Sequence, residues 1–307
     1  MKTSRVALLA TAVLTLAACG SGDPLAEPTE EGTSSGTGSA VVVGSQAYYS
    51  NEIIAEIYAQ ALEDAGIDVT RQFQIGQRDV YLQALEGGEV DIIPEYTGNL
   101  LQFYVPDTEA RSSEDVAAAL PDALPEGLTI LEYAEGQDAD SYNVTTEFSE
   151  ENGITSLADL AGYDGEIVVG GNAELESRPY GPDGLQELYG VDVDFLAIGD
   201  SGGPLTKDAI RDGTITMGDI YTADPDLASG DFVTLEDPES MILAQNVVPL
   251  VTADRAEELA AVLDEVSAAL TTEELIALNA RSVNEQLDPA TIATEWLTEQ
   301  GLVGGGS

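Results

Sequence analysis

Apolar positions along this chain fall into short continuous runs and helical stripes that alternate over most of its length. "AVVVG" at 40–44 is an apolar run of strand length. The segment after it, "SNEIIAEIYAQALEDAG", sets Ile53, Ile54, Ile57, Tyr58, Ala61 and Leu62 on one face at helical spacing and closes at Gly66. "DVTRQFQI" then reads as a strand, "RDVYLQALEGG" as a helix, "VDIIP" as a strand and "TGNLLQFYV" as a helix. A second series begins near residue 142. Strands in "YNVTTEF", "EIVVGG", "VDFLAI", "ITMGDIY" and "FVTLED" are interrupted by helices in "SLADLAG", "PDGLQELYG" and "PLTKDAIRDG". From Ala253 onward the spacing is helical, through "DRAEELAAVLDEVSAAL", "EELIALNARSVNE" and "DPATIATEWLTEQG".

Strand and helix in alternation predict α/β sheets with helices on their faces, whose ligands collect beyond the carboxyl ends of strands. A chain of 307 residues exceeds what one core usually needs, and no internal repeat is evident, so two lobes are expected. The chain is read as crossing to the second lobe near 140–143 and returning near 246–251. Residues 40–140 and 250–303 then form the first lobe and residues 141–249 the second.

The N-terminus departs from this pattern. In "MKTSRVALLATAVLTLAACGSGD", Lys2 and Arg5 precede an apolar stretch too short to span a bilayer comfortably, followed by "LAAC", so residues 1–19 read as an export signal ending at Cys19, the sole cysteine. Residues 20–39, rich in Gly, Ser, Thr, Pro and Glu, read as a solvated tether.

Charge narrows the partners. With 57 Asp and Glu against 10 Lys and Arg the formal charge is −47, while 43% of residues are apolar and periodic, the mark of a folded acidic protein. Such a surface repels nucleic acid and anionic lipid, and its self-repulsion suits a salty habitat. Catalysis is constrained as sharply. The chain has no histidine, which removes His-containing triads and Cys/His zinc sites, and no metal or cofactor is expected. Carboxylate pairs such as Asp91 and Glu95 are expected by chance among so many acids, "GGNAELESR" is no phosphate loop, and "GDSGGP" without histidine is no protease signature. A non-enzyme is expected. Only Lys2 and Lys207 are lysines, and Lys207 is expected on the solvated face of its helix.

Tyrosine outnumbers the other aromatics, with 12 against 5 Phe and 1 Trp, and a core would take phenylalanine without a phenol to satisfy. Tyr58 and Tyr81 fall on helical core faces, while Tyr104, Tyr133, Tyr163, Tyr180 and Tyr189 read as packing or turn residues. Tyr48 and Tyr49, after the first strand, are left open. Tyr96 in "PEYTGN", Tyr142 in "DADSYNV" and Tyr221 in "GDIYTADPDL" each lie at a strand end or a crossing. They are either ordinary half-buried rings or the walls of a cage.

"VVVGSQAYYSNEIIAEIYAQALEDAG", "EGGEVDIIPEYTGNLL" and "GDIYTADPDL" with "FVTLEDPE" resemble, in order from residue 40 to about 300, the extracytoplasmic substrate-binding proteins of ABC importers for glycine betaine, choline and related osmoprotectants. "GEVDIIPEYTG" is the most specific of these strings. "LAAC" resembles the bacterial lipobox, which implies a lipid on Cys19 and anchorage outside the cytoplasmic membrane. The resemblance implies a bilobed periplasmic-binding-protein-like fold of type II, two α/β lobes joined by a hinge, acting as a monomer that delivers a small solute to a membrane permease. It implies a box of tyrosines around a quaternary ammonium, which cannot donate conventional hydrogen bonds and is held by ring faces at about 0.5–2 kcal/mol each.

By position the resemblance gives Tyr96, Tyr142 and Tyr221 as box residues. The family's second-lobe tyrosine falls on Gln245, so the implied box has three rings and an amide, a loss of roughly tenfold in affinity at ~1.4 kcal/mol. Arg178 lies where family members place an arginine against a ligand carboxylate, or else forms a surface ion pair. Asn51, Asn99 and Asp140 lie where the family supplies polar groups. The alternatives left open are the same fold with another small polar or aromatic ligand, an envelope-tethered carboxylate-dependent hydrolase, and a structural or sensory lipoprotein.

Overall fold

The computed structural model describes residues 39–304; the proposed signal, Cys19 and nearly all of the tether lie outside the described residues. In chain order the strands are β1 (Val41–Gly44), β2 (Val69–Gln72), β3 (Ile92–Tyr96), β4 (Leu128–Ile130), β5 (Tyr142–Thr145), β6 (Val168–Gly171), β7 (Asp194–Ala197), β8 (Met217–Asp219), β9 (Phe232–Thr234) and β10 (Val247–Thr252). They form two five-stranded sheets, β2-β1-β3-β10-β4 and β7-β6-β8-β5-β9. β1 runs parallel to β2 and β3, while β10 enters antiparallel between β3 and β4. The second sheet repeats the arrangement, with β6 parallel to β7 and β8 and with β5 antiparallel to β8 and β9. The molecule therefore consists of two α/β lobes, each built on a mixed sheet, as the alternating pattern predicts.

Helix Tyr49–Asp64 buries the stripe read from the sequence: Ile53, Ile54, Ile57, Tyr58, Ala61 and Leu62 pack with residues of Ala256–Ala269, Thr272–Glu285 and Pro289–Gln300 in one apolar cluster. On the other side of the first sheet, Arg78–Glu86, Thr97–Tyr104 and Ser113–Ala123 supply Tyr81, Leu85, Leu100, Leu101, Val116 and Leu120 to a second cluster. Helices on both faces leave the carboxyl ends of β1 and β3 as the place where the sheet can meet a ligand.

Several boundaries differ from the sequence reading. β10 pairs with β3 along its length, from Val247 opposite Tyr96 to Val251 opposite Ile92, so residues 247–249 belong to the first lobe and the return crossing lies earlier. All six of its residues are buried. A short apolar run buried on both faces carries no periodicity to mark it as a strand, which is why the sequence pattern suggests a crossing there. "SLADLAG" forms a tighter 3₁₀ turn, Leu157–Gly162, closed at its start by reciprocal Ser156 and Asp159 bonds. Helix Ser113–Ala123 and β4 lie where the sequence reading assigned no element.

Candidate functional site

Strand ends build the site. Beyond β1 the chain presents Gln46 and Tyr48, β3 ends on Tyr96, and the following helix presents Asn99. The connection into the second lobe carries Asp138 and Asp140. From the second lobe, Asn172, Glu174, Leu175, Arg178 and Tyr180 follow β6, while Asp219 and Tyr221 end β8. All of these line one cavity.

Three rings meet there. Tyr48 and Tyr96 lie with centroids 6.3 Å apart and planes 34° from parallel, and the Tyr48 hydroxyl donates to that of Tyr96. Tyr48 also stands edge-on to Tyr221, at 5.4 Å and 63°. Since Tyr48 comes from the first lobe and Tyr221 from the second, this contact spans the cleft. Asn172 Nδ2 donates to the Tyr221 hydroxyl at 3.3 Å. Burial pushes the phenols of Tyr48, Tyr96, Tyr180 and Tyr221 well above the usual tyrosine range, so these rings stay neutral.

Tyr96 is held from behind by a buried ion pair. Arg78 donates to both Glu95 oxygens at 2.8 and 3.0 Å, Tyr81 donates to Glu95 at 2.5 Å, and the Tyr96 N–H donates to Glu95 at 2.8 Å. Glu95 is thus a structural anchor. Asp91 has a comparable duty, accepting from the Val42 N–H at 2.8 Å. These two acids do not form a catalytic pair.

The structure separates the sequence-derived candidates. Tyr96, Tyr221, Asn99, Asp140 and Arg178 line the cavity. Tyr142 does not: it is 2% exposed in the second lobe's core, its hydroxyl donates to the Tyr180 carbonyl at 2.6 Å, and it lines a separate hollow with Leu157, Leu235 and Asp237. Gln245 is fully buried behind the wall, where its Oε1 accepts from the Asn99 N–H and its Nε2 donates to Asn99 Oδ1, each at 2.9 Å. Asn99 Nδ2 in turn donates to Asp140 at 2.7 Å, so Gln245 positions the wall and is no part of it. Asn51 also stands behind, accepting from the Gln46 N–H at 2.8 Å and donating to the Pro94 carbonyl at 2.9 Å, which ties the Tyr48 loop to β3.

Arg178 is half-buried and takes part in no ion pair or side-chain hydrogen bond among the described residues, unlike the surface pair weighed for it. Lys207 is not on a solvated face: it is 3% exposed, bonded to Asp224 at 2.7 Å and Asp226 at 2.8 Å. Those two acids lie in the segment that follows β8, which covers the lysine.

Sequence reasoning missed Tyr48, Tyr180, Asp138 and Asp219. The strand-end rule that singled out Tyr96 applies equally to Tyr48, whereas Tyr180 reaches the cavity only through the fold of the 3₁₀ turn Ala173–Ser177 and the chain beyond it. The two acids are unusual. Burial, with the charges of Asp140 and Asp224 beside it, raises the Asp138 carboxyl to about 7, against hydrogen bonds from the Ala223 N–H and Ser50 that pull it down. Burial and then Asp140 push Asp219 well above the usual carboxylate range.

The site is a cleft between two lobes, lined by tyrosine rings, carboxylates and one arginine without a carboxylate partner among the described residues. The family model for the substrate-binding domain of ABC-type glycine betaine transport systems matches residues 39–299. The chain belongs to that family. Relatives include the glycine betaine-binding protein YehZ of Escherichia coli, 28% identical over 86% of this chain and 91% of its own length. A glycine-betaine-binding protein of Pseudomonas aeruginosa is 28% identical over 86% and 89% respectively. The solved structure of apo YehZ from Escherichia coli aligns with a TM-score of 0.63 at 26% identity, covering 87% of this chain and all of that one. A glycine betaine/carnitine/choline ABC transporter structure aligns at a TM-score of 0.69 over 85% and 99%, and at 18% identity it shows the shared bilobed fold alone. Members of the family are extracytoplasmic solute-binding proteins of ABC transporters, and the chain is no enzyme. Among the described residues no helix is long and apolar enough to cross a membrane.

Proposed function

We propose that the protein captures a quaternary-ammonium osmoprotectant, glycine betaine, choline or a similar compound, between its lobes and delivers it to an ABC permease. The observation that carries this reading is the meeting of Tyr48 and Tyr96 with Tyr221 across the cleft at 5.4 Å from Tyr48. Ring faces attract a methylated ammonium through their quadrupoles, and lobe closure strengthens that attraction by excluding water. Inorganic cations keep their hydration and gain less.

Arg178, whose side chain has no partner among the described residues, would clamp a ligand carboxylate with its planar fork, which suits glycine betaine. Asn99 and Asp140 would border the head group, with Gln245 and Asn51 holding the wall from behind. A ligand touching both lobes shifts the population toward the closed form, and that closed surface is what a permease would read. A lipid on Cys19 and a flexible tether would keep a monomeric receptor near its permease at high effective concentration.

Calorimetry with glycine betaine, choline, carnitine and proline betaine tests the ligand class. Saturable binding of at least one, weakened about 2- to 30-fold by Tyr221→Ala, is expected from the worth of one ring. Silence for all four points to another small polar or aromatic ligand of the same fold.

A further inference from the structure

Asp138 sits in the cavity wall 5% exposed, and among the described residues no lysine or arginine pairs with it. Its carboxylate accepts from the Ala223 N–H at 2.9 Å and from the Ser50 hydroxyl at 3.3 Å. The groups facing it are otherwise neutral phenols or acids: Tyr48, Tyr49, Tyr96 and Tyr221, with Asp140, Asp219 and Asp224. Of the cations around the cavity, Lys207 is engaged by Asp224 and Asp226 and Arg78 by Glu95, while Arg178 lines the same cavity and pairs with no carboxylate among the described residues. A buried carboxylate without a counter-ion is costly, and it sits beside the rings suited to a methylated cation.

We infer that Asp138 is the counter-ion of the captured head group and sets the cavity's preference for positive charge, any proton that the ammonium displaces from it passing to solvent. This rests on reading the cavity as a quaternary-ammonium site. Free Asp138 titrates at about 7, so near neutrality it exchanges its proton readily. An ammonium beside it favours the ionised form and lowers that value in the complex. Affinity is therefore highest above pH 7 and falls as pH drops through it, by about tenfold between pH 8 and pH 6 if the bound form titrates near 5 or lower.

Calorimetry with choline and with glycine betaine between pH 5.5 and 8.5, in buffers of different ionisation enthalpy, reads both affinity and protons released. The expected result is the tenfold slope, release of close to one proton per ligand at pH 6, and loss of both in Asp138→Asn. That variant is near-isosteric and removes a buried charge, and a melting curve verifies its fold. Binding without a pH slope, or a slope and proton release that persist in Asp138→Asn, overturns the inference while leaving the ligand class intact. Failure of both probes to bind at any pH overturns the cavity reading and this inference together.

Discussion

Tyr142 and Tyr221 look alike in the sequence, each a tyrosine at the edge of a strand, yet their surroundings assign them different work. Tyr221 lines the cavity, whereas the Tyr142 hydroxyl is spent on the Tyr180 carbonyl inside the second lobe. Tyr142→Phe should leave ligand affinity within about twofold and lower stability by about 1 kcal/mol, the worth of one buried hydrogen bond. Tyr221→Ala should do the reverse, and paired calorimetry and urea unfolding of the two variants distinguish them. Asp138 supports a second prediction at this scale. Its folded-state value, about 7, lies above the roughly 3.9 of an unfolded aspartate, so between those values the folded chain holds a proton the unfolded chain has lost. Stability contributed by this group is present below pH 4 and is lost as pH rises through 7. Asp138→Asn should therefore raise the urea midpoint at pH 8 and bring no comparable gain at pH 4.5.

Between elements, the most demanding contact is the approach of helix Thr97–Tyr104 to the chain returning from the second lobe. A side-chain carbon added at Gly98 would lie 2.6 Å from the Ala244 carbonyl oxygen, 2.7 Å from Leu243 Cβ and 2.8 Å from Gln245 Nε2. The first two of these cannot swing aside. Gly98→Ala should therefore push the helix away, strain the Gln245–Asn99 amide pair and displace Asp140 and Tyr96 together. Destabilisation of about 1–3 kcal/mol by thermal melting, with weaker ligand binding, is the expected result. The requirement explains why "EYTG" behaves as one unit: Glu95 anchors, Tyr96 faces the cavity, Thr97 bonds the Ala244 carbonyl and Gly98 admits the neighbouring chain. The spelling was legible in the sequence, but the partner that makes the glycine necessary is about 150 positions away.

Across the whole molecule, segment 221–226 is gripped from both lobes. Lys207 holds Asp224 and Asp226 from the second lobe. Asn279 Nδ2 donates to the Ala223 carbonyl at 3.0 Å, and the Ala223 side chain packs in the first lobe's core. Lys207→Met leaves a buried Asp224 without its cation, and a loss of about 3–5 kcal/mol in urea unfolding is expected. The net charge of −47 acts at the same scale. Self-repulsion among exposed acids is screened as the Debye length falls from about 10 Å at 0.1 M salt to about 3 Å at 1 M, so the melting temperature should rise over that interval. A flat or falling melting temperature would mean that the acids are already balanced by local structure.

Local pattern was enough to determine much of this protein. The alternation of runs and stripes gave two α/β lobes, the Ile53 to Leu62 stripe gave the face of the first helix, and the absence of histidine removed most catalytic chemistry. Strand-end position also picked out Tyr96 and Tyr221, because a residue leaving the carboxyl end of a strand faces the cleft whatever its neighbours are. Tertiary structure alone decided the remainder: that β10 closes the first sheet, that Tyr48 rather than Tyr142 joins the rings, that Gln245 stands behind Asn99, and that Lys207 is buried. Those outcomes depend on which distant segments come to lie against one another, and spacing along the chain encodes the faces of each element but not the partners those faces meet.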